Sequence, residues 1–193
     1  MQNFNRHYEL QGRHATLSAS KYHWTNYDDE KFDQWYYTQM AAQEGTELHD
    51  LAAILIKKKI RQINNKTTFN QYVNDAIGYR MTPEQVLAYS ANVFGTADAI
   101  SFKRDRALKQ DLLRIHDLKT GVSKASMRQL EIYAALFCLE YDFKPGHIAI
   151  ELRIYQNDAV EVYNPEVEDI AYIMDRIITL DKRINFLREE ALN

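Results

Sequence analysis

The sequence is poor in cysteine, proline and glycine, and it has no long apolar run. Its one Cys, Cys138, cannot close an internal disulfide. Alone it cannot hold a zinc ion or an iron–sulfur cluster. Its apolar flanks, Tyr133 to Leu139, predict a buried thiol. A chain built without disulfides is expected in a reducing interior, hence cytoplasmic. Three Pro and six Gly leave little room for long irregular linkers. The same run, Tyr133 to Leu139, is among the longest apolar stretches, and it is far shorter than the ~20 residues of a membrane-spanning helix. The first fourteen residues lack the apolar core of a signal peptide. No membrane partner is expected.

What the chain does have is ordinary for a globular domain: 193 residues, 46% of them apolar, with thirteen Tyr. A net charge of −3 argues against a protein that coats nucleic acid by charge alone. It leaves room for an enzyme with a local basic groove beside an acidic metal site. Two basic clusters are visible, Lys57, Lys58, Lys59 and Arg61, then Lys103, Arg104, Arg106 and Lys109. Taken singly, each is an ordinary solvated face.

No internal repeat interrupts the chain. One domain is expected over 1–193, with a mainly helical part over 1–82 and a sheet core with flanking helices over 83–193. Asp28 to Ala42 opens with acids and continues with Phe32, Trp35, Tyr36 and Met40 at near-helical spacing. Thr46 is placed to cap a second helix whose apolar face carries Leu48, Leu51, Ala52, Leu55 and Ile56. Val86–Tyr89, Val93–Phe102 and Leu112–Leu118 read as strands. Ser123–Tyr141 reads as a helix. HIAIELRIYQ alternates as a strand does, Asn157-Asp158 is a turn, and AVEVY returns as the second arm of a hairpin. Pro165–Leu192 closes the chain as a helix. This order predicts an α/β (α+β) fold: a mixed sheet flanked by helices on both faces.

The chemistry is concentrated in Asp117-Leu118-Lys119. Residues two apart in a strand face the same way, so Asp117 and Lys119 project together. A carboxylate suits a hard divalent cation, and an ammonium beside it suits phosphate charge. Alone, such a pair is more often a surface ion pair. Asp98, between Ala97 and Ala99 in a strand with little charge, needs a partner. Read alone, it also suits a tight turn beside Gly95-Thr96. On antiparallel neighbouring strands, Asp98 and Asp117 can converge on one cation. Gln129 and Tyr133 share a helix face four residues apart. His49 offers an imidazole that favours Mn²⁺.

The ordered set GTELH, GTAD, DLK and Q-x-x-x-Y, spanning Gly45 to Tyr133, resembles the RecB-like branch of the PD-(D/E)XK nuclease superfamily. Leu17–Trp24 (LSASKYHW) also resembles the start of stand-alone phage and prophage exonucleases of that branch. The resemblance implies a restriction-endonuclease-like core. It implies His49, Asp98, Asp117 and the Leu118 main-chain carbonyl as ligands of one or two Mg²⁺ or Mn²⁺ ions. It implies Lys119 as the catalytic lysine, acting with Asp98 and Asp117, and Gln129 and Tyr133 as substrate-binding residues. DNA is the implied partner, with a homo-oligomer and a recombination partner protein as further candidates. The implied activity is an exonuclease on linear DNA in phage recombination or end processing. The alternatives are a nicking or structure-selective endonuclease and a catalytically silent DNA-binding module on the same fold. Asp117 stands where many relatives have Glu. A single Cys excludes the subtype that carries an iron–sulfur cluster.

Overall fold

The computed structural model describes residues 6–12, 14–105 and 110–191. They fall into two compact units, Met1–Gln43 and Glu44–Asn193. In the first unit, the Leu17–Trp24 stretch turns through 3₁₀ geometry over Ala19–Asn26, and Trp24 Nε1 donates to the Ser18 carbonyl at 3.0 Å. Asp28 then caps the first α-helix by accepting from the Lys31 N–H at 2.8 Å.

That helix, α1, runs over Asp29–Lys58 without a break. Two helices were expected, with Thr46 capping the second. Thr46 instead lies inside one long helix. Gly45 is retained there because the chain passes close: a Cβ on it would sit 2.7 Å from Thr120 Oγ1. Helix α2, Thr68–Gly78, buries Tyr72, Val73 and Ala76.

The sheet follows, as β1 (Thr82–Ser90), β2 (Val93–Asp105) and β3 (Gln110–Leu118), then β4 (Ala149–Gln156) and β5 (Ala159–Tyr163), in spatial order β1-β2-β3-β4-β5. Only β3 and β4 are parallel, and α3 (Arg128–Glu140) makes the crossover between them. Asn157 and Asp158 both take positive φ, 51° and 57°, in the two-residue turn between β4 and β5. Helix α4, Val167–Glu190, closes the fold.

Alternation along the strands divides the core in two. Leu113, Ile115, Leu152 and Ile154 pack with Leu130 and Ala134 of α3 and with Ile170 and Ile173 of α4. Leu118 and Tyr155 pack with Ala52 and Ile56 of α1 and with Tyr72, Val73 and Ala76 of α2. This is the expected mixed sheet flanked by helices. Cys138 is buried, as its flanks predict. Helix α3 starts at Arg128, five residues later than expected, because the side chain of Gln156 holds the preceding loop. Gln156 donates to the Ser123 carbonyl at 2.8 Å and accepts from the Ala125 N–H at 3.1 Å. No helix among the described residues is long and apolar enough to cross a membrane.

Candidate metal centre and lysine site

The site forms in the second unit where β1, β2 and β3 run side by side against the C-terminal half of α1. Pro83 pairs with Ala99 and Gln85 with Ala97, so Glu84 falls opposite Asp98. Ala99 pairs with His116 on the other side, so the next position along each strand sets Asp98 beside Asp117. Three carboxylates thus occupy neighbouring positions on three adjacent strands. His49 approaches them from α1, with Nδ1 3.2 Å from Asp98 Oδ2. The same oxygen accepts the Leu118 N–H at 2.9 Å. Leu118 therefore meets the site through its N–H, while its side chain is buried in the α1–α2 cluster.

One potential ligand atom from each of His49, Glu84 and Asp98 lies within 4.8 Å of the others. Asp117 is not among the three. Its carboxylate is held by Lys119, whose Nζ donates to Oδ1 at 3.1 Å and stands 3.0 Å from Oδ2. Lys119 Nζ also donates to Gln129 Oε1 at 2.9 Å, and Gln129 Nε2 donates to the Tyr133 hydroxyl at 2.9 Å. The six residues singled out in the sequence therefore fall into two contact chains. His49 and Asp98 form one, and Asp117, Lys119, Gln129 and Tyr133 form the other. The Lys119 N–H is fixed by the Tyr155 carbonyl at 2.9 Å.

The electrostatics follow from crowding of like charge. Burial, then the Asp98 charge, pushes the Asp117 carboxyl up to about 6, against the opposing pull of Lys119. Glu84 is raised by partial burial and by Asp98. His49 is raised chiefly by its hydrogen bond to Asp98. Asp117 Oδ2 is buried and receives no hydrogen bond among the described residues, despite its ion-pair distance to Lys119. Crowded, raised carboxylates and an orphaned buried oxygen are what a site loses energy by when no cation neutralises it.

No family model, curated protein or solved structure matches the chain.

The donors fit a divalent ion. One imidazole nitrogen and two carboxylates converge, with a third carboxylate beside them. Oxygen-rich sets select hard cations such as Mg²⁺, and an imidazole tilts the preference towards Mn²⁺. Glu84 was not singled out from the sequence. The β1–β2 hairpin carries an irregularity between Ala88 and Ser90. Unshifted pairing outward from Ser90 and Val93 would set Glu84 opposite Ala99, one residue away from its partner.

Gly95 serves the second chain of contacts. A Cβ there would lie 2.8 Å from Tyr133 Cε1. The glycine lets the Tyr133 ring lie against β2, and the ring's hydroxyl holds Gln129.

Proposed function

We propose that the chain is a divalent-metal-dependent DNA nuclease that hydrolyses phosphodiester bonds, acting as an exonuclease on linear DNA. The observation that carries this reading is the juxtaposition of two devices. One is the His49–Glu84–Asp98 cluster of potential metal ligands. The other is a lysine held by both Asp117 and Gln129, in a carboxylate set coupled to that cluster. Attack on a phosphodiester needs charge neutralised on the phosphate and a water activated beside it. A divalent cation held by His49, Glu84 and Asp98, with Asp117 and the Leu118 carbonyl as further candidates, would supply both when bound.

The chain's own residues supply the rest. Lys119 is partly exposed while its Nζ is fixed from two sides. It can orient a water in line with the scissile bond and meet the charge that develops on the phosphate. Water oxygen bonds to phosphorus and gives up a proton as the bond to one ester oxygen breaks; that oxygen leaves with the electron pair and takes up a proton, so one strand end carries a phosphate monoester and the other a hydroxyl. Asp117 and Gln129 hold the ammonium ready, so no reorganisation is needed at that moment. Gln129 and Tyr133 present an amide and a hydroxyl beside it for the substrate strand. The exonuclease preference comes from the family resemblance.

The test is digestion of an end-labelled linear duplex in parallel Mg²⁺ and Mn²⁺ reactions. Lys119→Ala and Asp98→Asn should each lower the rate by at least ~10²–10³ while keeping the far-UV circular dichroism of the parent. Full activity in either purified variant would sink the assignment. Degradation of linear plasmid with closed circular plasmid left intact identifies an exonuclease, and relaxation or cutting of the circle identifies an endonuclease.

A further inference from the structure

Lys119 and Gln129 touch although the chain between them has no regular structure. Residues 120–127 form neither strand nor helix. Lys119 Nζ nevertheless meets Gln129 Oε1 at 2.9 Å. Backbone freedom in such a stretch spreads the distance between its ends unless other groups fix it. Here the end of β4 fixes it. The Tyr155 carbonyl accepts the Lys119 N–H at 2.9 Å. The next side chain, Gln156, holds the stretch at three points. Its Nε2 donates to the Gly121 carbonyl and, at 2.8 Å, to the Ser123 carbonyl. Its Oε1 accepts the Ala125 N–H at 3.1 Å. Both amide hydrogens and the oxygen are used in these contacts.

The two ends of the stretch are both part of the site. At its start, Thr120 lies against Gly45 of α1, about one helical turn before His49. At its end, Ser126 and Met127 separate Ala125 from the start of α3 at Arg128, and Gln129 is second in that helix. The residue pattern favours helix from Ser123 onward. Gln156 takes the Ser123 carbonyl that such a helix would use for its first internal bond. Without this contact α3 is free to lengthen at its start, and Gln129 is no longer set at one distance from Lys119.

We propose that Gln156 is a positioning residue of the lysine site: by clamping residues 121–125 it sets where Gln129 stands, and through Gln129 it holds the Lys119 ammonium. Its role in cleavage rests on reading Lys119 as the group that orients water and meets charge on the phosphate. The inference adds to that reading a determinant on β4, which acts through the loop and not on the substrate.

The experiment reads the lysine apart from cleavage. The full chain is acylated with trace acetic anhydride in EDTA, and mass spectrometry gives the reactivity of Lys119 relative to the exposed Lys182 of α4 in the same sample. An amine held by a carboxylate and an amide reacts slowly. Gln129→Ala removes the amide directly and sets the scale of its loss. Gln156→Ala should raise Lys119 reactivity towards that value, by roughly three- to tenfold, the size of one lost charge-assisted contact. Gln156→Glu keeps the length of the side chain and the acceptor for Ala125 but loses both donations. It should raise the reactivity as well, so a folding defect in the Ala variant leaves the test intact. Asn164→Ala is the control for stability alone. Asn164 Nδ2 donates to the Ile150 carbonyl at 3.1 Å, near the opposite end of β4, so an amide-to-carbonyl bond of the same kind is lost. Lys119 reactivity in this control should stay at the parent value. In single-turnover cleavage of the end-labelled duplex with Mn²⁺, Gln156→Ala should lower the rate at saturating DNA roughly tenfold. The DNA concentration giving half the maximal rate should stay that of the parent. Lys119 reactivity in both Gln156 variants equal to that of the control would overturn the proposal. If Gln156→Ala frees Lys119 but the parent cuts nothing with Mg²⁺ or Mn²⁺, the nuclease reading fails and the clamp stands. If the parent cuts and Lys119 reacts alike in parent and Gln156 variants, the clamp fails alone.

Discussion

Glu84 sits within a strand with φ at 53°, in the left-handed region that a β-branched or long side chain enters at a cost of roughly 1–2 kcal/mol. The other non-glycine residues with such φ among those described, Lys59, Arg80, Asp142, Asn157 and Asp158, lie in turns or directly after helices. Backbone strain held inside a strand beside Asp98 is explained if the side chain is needed there as a ligand. Glu84→Gly removes strain and ligand together. Its metal-free melting temperature should equal or exceed that of the parent, and the rise in melting temperature on adding Mn²⁺ should shrink or vanish. Glu84→Gln should lose the same rise but keeps the backbone strain, so its gain in the metal-free state should be the smaller of the two, coming only from the lost charge. An undiminished Mn²⁺ rise in both variants would remove Glu84 from the site. At this scale the sequence was readable where order and spacing are local signals. Asp117 and Lys119 lie two apart on one strand, and Gln129 and Tyr133 lie four apart on one helix. Glu84 was hidden for two reasons: the first strand was expected to begin at Val86 but runs over Thr82–Ser90, and the place of Glu84 opposite Asp98 depends on a one-residue shift in the hairpin that leaves no mark in residue types.

The lysine is built by packing between elements as much as by its own strand. Helix α3 lies on β2 closely enough for the Tyr133 ring to occupy the space above Gly95, and that ring positions the chain of contacts through Gln129 to Lys119. Gly95→Ala adds one methyl group where the nearest ring carbon would be 2.8 Å away. The ring must move, at a cost typical of overpacking, about 1–3 kcal/mol. A thermal melt should fall by several degrees, and the proposed nuclease activity should fall more than stability alone accounts for. Gly121→Ala, where a Cβ meets nothing within 4 Å, should leave both unchanged. Equal effects of the two substitutions would show that Tyr133 does not depend on this approach. Strands and the closing helix were legible at the scale of elements because period-two and period-3.6 patterns are strong there. The interruption expected at Gly45-Thr46 was misleading. A glycine and a capping residue mark a helix start only when no neighbour needs the space, and here Thr120 does. The late start of α3 depends on Gln156, 31 and 33 residues beyond the loop positions it holds, which no local pattern reports.

Folding brings Glu84, Asp98, Asp117 and His49 together, and the whole molecule carries the cost when no cation is bound. The Asp117 carboxyl is raised from 3.8 to about 6, so between those values the folded chain holds more protons than the unfolded chain. Stability of the metal-free protein then falls as pH rises through this window. For a side chain this buried, two pKa units amount to roughly 3 kcal/mol. The raised Glu84 contributes with the same sign. His49 does as well, since the stability that its contact with Asp98 provides below 6.5 is lost as pH rises through its higher folded value. Comparing the parent with Asp117→Asn isolates one group from the remaining acids. In urea denaturation with EDTA, the variant should gain on the parent between pH 4 and pH 7, by up to about 3 kcal/mol. A divalent cation reverses the balance, because it binds the deprotonated ligands and displaces their protons. The Mn²⁺-induced rise in the parent's melting temperature should therefore be small at pH 5 and large at pH 7.5. A rise of equal size at both pH values would mean that the cation binds away from these four residues, and the metal centre would have to be sought elsewhere in the fold.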